Sequence, residues 1–296
     1  MLSKKKFKYV KIKSINKKRN IFYKKPNKKI FIFCYIFLLF LICYIFYRLI
    51  IGKSVEGSYG DKINKLKILL PQFHSYAQTF EDFVLFYLFY DLDKGFYIDV
   101  GANDPDIFST TKAFYERGWN GINIEPLPDK FQLLNNSRIN DINLNIGVGR
   151  NQTNATLIIY GYNGCQSSLI YNKDMINARR INTKIETLAN ICKQFVPSGT
   201  EIDFLKIDVE GSERDVLLGI DFINYRPKVI CIESLNNTEN NNIPEYKGWE
   251  NILIENDYAL GYEYWINRFY YDKRRNGMKE KFKGVEHYVN IYKKKI

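Results

Sequence analysis

The chain has 296 residues with 44 Lys or Arg against 32 Asp or Glu, a net charge of +12. That excess sits at one end: residues 1–29 hold 13 Lys or Arg and no acid, so the other 31 basic residues face 32 acidic ones. This excludes a domain that grips nucleic acid over its whole surface, and two histidines with five cysteines leave little material for a zinc site, so no metal is expected.

Lys-rich arms bind phosphate non-specifically, but the segment after the tail accounts for it better. Ile30 to Tyr47 contains 18 consecutive uncharged residues, and after Arg48 the run continues as Leu49-Ile-Ile51. At 1.5 Å per residue, about 20 residues cross the hydrocarbon core of a bilayer. Residues 30–51 are therefore expected to form one transmembrane helix. The apolar region of a cleaved signal peptide is about 7–15 residues long, and Tyr47-Arg-Leu-Ile lacks the small residues of a cleavage site. The positive charge ahead of the span places the N-terminus in the cytosol, a single-pass type II membrane arrangement. The expected divisions are a basic cytosolic tail at 1–29, the anchor at 30–51, a stem at 52–74 and a globular domain at 75–296. Four Asn-x-Ser/Thr sequons, at Asn135, Asn151, Asn154 and Asn236, fit that topology, although so Asn-rich a chain produces them by chance.

Within the domain, helical and extended patterns alternate as in a doubly wound, mostly parallel α/β sheet. Glu81 to Tyr90 reads as a strongly apolar helix, and Phe96 to Val100 as a buried parallel strand. A helix over 111–117 and a strand over 121–125 follow, then a helix from Pro128, whose ring suits a first turn. A strand over 142–147 precedes an Asn-, Gly- and Tyr-rich segment, 151–183, which reads as an inserted loop with one strand over 155–160. Strands over 203–208 and 228–233 flank a helix over 212–218, with Ser212 as candidate N-cap and Gly219 as stop. A helix over 249–256 and a strand over 268–271 finish the pattern.

The strand at 96–100 closes on Asp99 and Gly101, at the carboxyl end where open α/β sheets hold ligands. Glu125 ends the next strand, 24 residues past Gly101, placed to accept hydrogen bonds from both hydroxyls of a ribose. A dinucleotide fingerprint needs G-x-G-x-x-G so that a pyrophosphate reaches a helix N-terminus. Gly101-Ala-Asn-Asp-Pro-Asp106 offers one glycine and added carboxylates, which repel a pyrophosphate. They suit a nucleoside with a cationic centre and an amino group, as in S-adenosylmethionine.

Four blocks in this order resemble the FkbM family of S-adenosylmethionine-dependent methyltransferases. They are Phe96-Tyr-Ile-Asp-Val-Gly-Ala-Asn-Asp-Pro105, the run from Ser109 to Pro126, Asp203-Phe-Leu-Lys-Ile-Asp-Val-Glu-Gly-Ser-Glu213, and Arg226-Pro-Lys-Val-Ile-Cys-Ile-Glu233. The resemblance spans roughly residues 75 to 271, and it implies a Rossmann-like class I methyltransferase that acts on a hydroxyl of a sugar or glycoconjugate. The cofactor-binding set is then Asp99, Gly101, Asn103, Glu125 and Pro126. Asp208 and Glu210, after the strand at 203–208, are the candidate catalytic bases and equally candidate helix caps. Lys206 is a candidate partner for one of these acids, and Glu233 ends a strand that faces the same side. Upstream, family members tend to show Gln-x-Gly-Glu-Asp where this chain has Gln78-Thr-Phe-Glu-Asp82, so the turn there is expected to differ.

Two other readings compete. Asp91-Leu-Asp93 and Asp104-Pro-Asp106 match the Asp-x-Asp spacing with which a type II glycosyltransferase holds a cation against a sugar nucleotide. A non-catalytic, membrane-tethered module with the same fold would keep the cofactor site and lack turnover.

Overall fold

The computed structural model describes residues 42, 66, 68–160, 166–168, 179–234 and 245–294. The chain divides into two compact units, Met1–Gly60 and Asp61–Ile296. The expected tail at 1–29 and, Ile42 excepted, the expected anchor at 30–51 lie outside the described residues. Among the described residues, no helix is long and apolar enough to cross a membrane. Leu66 and Phe73, within the segment expected as a stem, are buried in the core of the second unit.

In chain order the strands of that unit are β1 (Phe96–Val100), β2 (Asn120–Ile124), β3 (Ile142–Leu144), β4 (Gly147–Val148), β5 (Thr153–Tyr160), β6 (Gln166–Ser168), β7 (Arg179–Glu186), β8 (Phe204–Ile207), β9 (Val229–Glu233), β10 (Tyr258–Tyr264) and β11 (Asn267–Asp272). The helices are α1 (Glu81–Phe89), α2 (Lys112–Glu116), α3 (Pro128–Ser137), α4 (Leu188–Phe195), α5 (Glu213–Leu218), α6 (Glu250–Glu255), α7 (Met278–Phe282) and α8 (Val285–Lys293). Seven strands make one sheet in the order β10-β11-β9-β8-β1-β2-β3. Pairing from β3 through β9 is parallel, and β11 runs antiparallel to both its neighbours. Every residue of β1, β8 and β9 is buried, which is why each reads as a continuous apolar run rather than an alternation.

Each face of this sheet carries its own core. On one face Ile98, Ile122, Leu205 and Ile230 pack with Leu188, Val216 and Leu253 from α4, α5 and α6. On the other, Tyr97, Phe204 and Val229 pack under α1, α7 and α8. Helix α1 is buried along all nine residues, the expected condition of a helix apolar on every side. The sheet covers one flank of it and α8 the other, with Tyr292 stacked on Phe83 at 4.1 Å and Tyr288 on Tyr87 at 4.8 Å. No sequence pattern had marked α7 or α8.

Where the resemblance expects glycine, Phe80 takes the left-handed conformation itself, with φ 61°. That costs about 1–2 kcal/mol for an L residue. Two interactions offset it: the Phe80 ring packs edge-on against Tyr292 at 5.9 Å, and Asp82 ties the turn down. Its carboxylate accepts from Ser75 Oγ (2.7 Å), Tyr76 N (2.7 Å) and Ala77 N (3.2 Å).

Two expectations need correction. The strand expected over 142–147 is two: β3 pairs with β2, while β4 leaves for a second sheet beside β7. The segment expected as a loop with one strand forms most of that second sheet, ordered β4-β7-β5-β6. There β5 pairs antiparallel with β7 from Thr153↔Ile185 to Ile159↔Arg179. The cause is a period of two in β7, whose Thr183 and Ile185 are buried while Asn182 and Lys184 face solvent.

Candidate active site

The strand order reverses between β1 and β8, and the site lies at the carboxyl ends of these strands and their neighbours. Gly101 ends β1 with φ 81°, and its N–H donates to the Ile124 carbonyl at 3.0 Å. A Cβ here would sit 1.8 Å from the Asp208 carbonyl oxygen. Its glycine character therefore serves the close approach of the chain at the end of β8, a structural demand. A Gly101→Ala chain should lose at least about 2 kcal/mol of stability, since alanine adds both left-handed strain and a backbone collision. Thermal melts of the purified chain would measure this, and a melt unchanged from wild type would contradict the geometry.

Past Gly101 the loop turns back through Asn103, whose φ is 48°. The Asn103 N–H donates to Glu125 Oε2 at 2.8 Å, and the Leu127 N–H to Glu125 Oε1 at 2.8 Å. The Glu125 carboxylate is thus fixed through both oxygens, each keeping one lone pair for a ligand. Burial pushes Glu125 up to about 7 against these two hydrogen bonds. Asn145, which sequence reasoning missed, donates from Nδ2 to the carbonyls of Glu125 (2.9 Å) and Pro126 (3.0 Å) and so sets the course of the chain after β2. Asn103 Oδ1 is buried with no partner among the described residues.

Asp99 lies one residue deeper than the strand end. It is buried, accepts from Thr111 Oγ1 at 3.0 Å and stands in register with Lys206 of β8. Burial raises its pKa, opposed by the Lys206 ammonium and the Thr111 hydrogen bond. The structure therefore places Asp99 in a polar row across the sheet with Asn123 and Lys206, under α1 and α2.

The acids after β8 and β9 converge. Lys206 Nζ donates to Asp208 Oδ2 at 2.7 Å, and carboxylate oxygens of Asp208, Glu210 and Glu233 lie within 4.8 Å of one another. Burial alone would favour a neutral Asp208, but the Lys206 ammonium and a hydrogen bond from Glu233 outweigh it and hold the carboxyl below its ordinary range. Burial and the Asp208 charge push Glu233 up while Asp208 is held down, so of the two it is Glu233 that holds a shared proton. Glu210 sits in the turn into α5 with φ 53°, followed by Gly211 at φ 97°. Ser212 makes no capping bond. Glu213, the first residue of α5, instead ties down the turn ahead of the helix, accepting from Val209 N (3.1 Å) and Gly211 N (3.2 Å). Glu233, which the sequence placed only by its strand, thus joins Asp208 and Glu210 directly.

Both Asp-x-Asp matches are engaged elsewhere. Asp91 pairs with Lys281 at 2.8 Å, Asp104 with Lys130 at 3.0 Å, and Asp106 with Lys112. Asp104 also accepts from the N–H groups of Asp106 and Ile107, an Asx turn that shapes its own loop.

A seven-strand sheet of this order, with a carboxylate clamp after β2 and an acid group after β8 and β9, defines a Rossmann-like α/β fold of the methyltransferase kind. Residues 99–264 match the model of the Methyltransferase FkbM domain, more than half of the chain, and the chain belongs to that family. A search of curated proteins gives no match.

Proposed function

We propose that the chain transfers a methyl group from S-adenosylmethionine to an oxygen nucleophile, a hydroxyl of a sugar or glycoconjugate. One observation carries the cofactor half: Glu125 is locked by two backbone N–H groups, which leave one lone pair on each oxygen to accept from a ribose diol. Asn103 Oδ1, buried and unmatched, leaves an acceptor in the same loop for a ligand's donor group. When bound, S-adenosylmethionine supplies an electrophilic methyl on a sulfonium. In this chain Asp208 holds the acceptor hydroxyl and takes its proton. An alcohol that gains a methyl becomes a protonated ether, a far stronger acid than any carboxylic acid, so a carboxylate held low by Lys206 is base enough. Glu233, protonated, keeps a single negative charge on the pair, and Glu210 stands beside it as a second acceptor of hydrogen bonds.

Calorimetry on the full-length chain should show binding of S-adenosylmethionine and of its demethylated product. Absence of heat with both would end the methyl-transfer reading. The apolar run at 30–51 and the lopsided charge before it support the second part of the proposal, a single-pass anchor with the N-terminus cytosolic. Protease added to sealed membrane vesicles should then spare the C-terminal unit when it lies inside, and digestion in intact cytosol-side-out vesicles would reverse the orientation.

A further inference from the structure

The β10–β11 hairpin closes where Tyr264 pairs with Asn267, so Trp265 and Ile266 form its turn. Strand β11 is antiparallel to both β9 and β10, so β10 points the same way as β9 and this turn lies at the carboxyl end of the sheet. Register ties it to the acid group. Asn267 stands opposite Glu233, and the N–H of Ser234 donates to the Ile266 carbonyl at 2.6 Å.

Trp265 is out of keeping with its fold in two respects. Its side chain is 72% exposed, whereas Trp119 and Trp249 are at 1% and 2%, and its backbone holds φ 55°, a conformation that disfavours every side chain larger than glycine. The hairpin does not use the indole as core. The positive φ belongs to the two-residue hairpin turn, which favours Gly, Asn or Asp at that place, so a solvent-facing tryptophan here serves neither core packing nor turn propensity. Below it the edge strand is aromatic: Tyr264 lies 6.4 Å from Trp265 and stacks on Tyr262 at 6.1 Å, with rings 7° from parallel. Lys293 Nζ sits 4.2 Å over the Tyr264 ring and fixes the support.

We infer that Trp265 is an acceptor platform, offering its indole face to the apolar face of a carbohydrate ring next to the one whose hydroxyl reacts at Asp208. The inference rests on the reading as a sugar methyltransferase and deepens it. Strands spaced about 4.8 Å apart put β10 about 10 Å from β9 and about 14 Å from β8. On that spacing the platform serves a ring next to the reacting one, and the acceptor of this inference has at least two rings. A ring with one apolar face and a polar rim matches a lone indole plane beside acids and tyrosines. An acyl chain would need a continuous apolar surface instead.

The test uses the full-length chain on an array of mono-, di- and trisaccharides, with Trp265→Ala and Trp265→Phe as variants and calorimetry with S-adenosylmethionine as the parallel readout. Wild type should retain di- or trisaccharides and pass over the monosaccharides. Trp265→Ala should weaken that retention at least about tenfold, Trp265→Phe should restore part of it, and cofactor binding should stay the same in all three. Because Trp119 and Trp249 are buried, fluorescence quenched by acrylamide reports Trp265, and the retained sugar should shield it. The platform is refuted by equal retention in Trp265→Ala, by monosaccharides retained as tightly as longer sugars, or by no retention in a wild-type chain that binds the cofactor. Failure of wild type to bind the cofactor instead sinks the methyl-transfer reading.

Discussion

Replacing Glu125 by alanine is expected to weaken S-adenosylmethionine binding by a factor of about 100 or more. Hydrogen bonds to a charged acceptor are worth about 1.5–3 kcal/mol each, and two ribose hydroxyls lose theirs together. At 1.4 kcal/mol per tenfold, that is at least two decades. The same change strands the N–H groups of Asn103 and Leu127, which now donate to the carboxylate, so the melting temperature should fall as well. Glu125→Gln separates the two effects. It keeps the volume and one carbonyl acceptor, so it should recover much of the stability and little of the affinity. Unchanged affinity in a folded Glu125→Ala chain would remove the ribose assignment.

The same residue gives a pH dependence of known sign. Burial lifts Glu125 from the ordinary 4.5 to about 7 in the folded chain. Between those values the folded state binds more protons than the unfolded one, so this group's stabilisation, full below about 4.5, is lost as pH rises through about 7. Asp82, lifted by burial from 3.8 to about 7, acts with the same sign. Cofactor affinity should move oppositely, because the ribose hydroxyls need the carboxylate: it rises with pH through about 7 and levels off above. Melts and titrations between pH 5 and 8 check both, and Glu125→Gln should flatten the affinity curve. A wild-type affinity independent of pH over that range would mean Glu125 is already ionised.

The central sheet was legible because parallel strands buried on both faces leave continuous apolar runs, and Phe96 to Val100, Phe204 to Ile207 and Val229 to Glu233 are such runs. Strand β10 was not, because Tyr258 to Tyr264 lies at the sheet edge and mixes buried with half-exposed residues. The second sheet was hidden by composition: Arg, Asn and Lys on its outer face make β7 look like loop until its alternate Thr and Ile are read at period two. At the site, Glu125 was legible from its place at a strand end. Lys206 and Glu233 acquire their roles only across strands, through a register that joins Asp99 to Lys206 and Lys206 to Cys231. These pairings bring together residues 107 and 25 apart in the chain (206 − 99 and 231 − 206), and no local pattern encodes them.

Lys206→Met tests that register most severely. The lysine is 5% exposed, bonded to Asp208 and in register with Asp99. Burial by itself would lower its pKa, but the charges of Asp208, Asp99 and Glu81 more than reverse this, so it is charged whenever the chain is folded. Methionine fills the space and removes the charge, leaving two acids in the sheet without a counter-ion. Breaking a buried pair in this way costs about 3–5 kcal/mol, a fall in melting temperature of about 10 °C for a unit of this size. Part of the cost is escaped by protonation. Without the ammonium, burial dominates at Asp208 and its carboxyl titrates higher, so the acid limb of any methyl-transfer profile should shift to higher pH. A second change, Asp99→Asn, removes one stranded charge, so in Lys206→Met it should recover stability, whereas in wild type it should cost stability. That reversal is a coupling between Asp99 and Lys206 that packing alone does not produce. If Lys206→Met melts within a degree of wild type, water already solvates Asp99 and Asp208, and the low carboxyl on which the proposed proton transfer depends loses its cause.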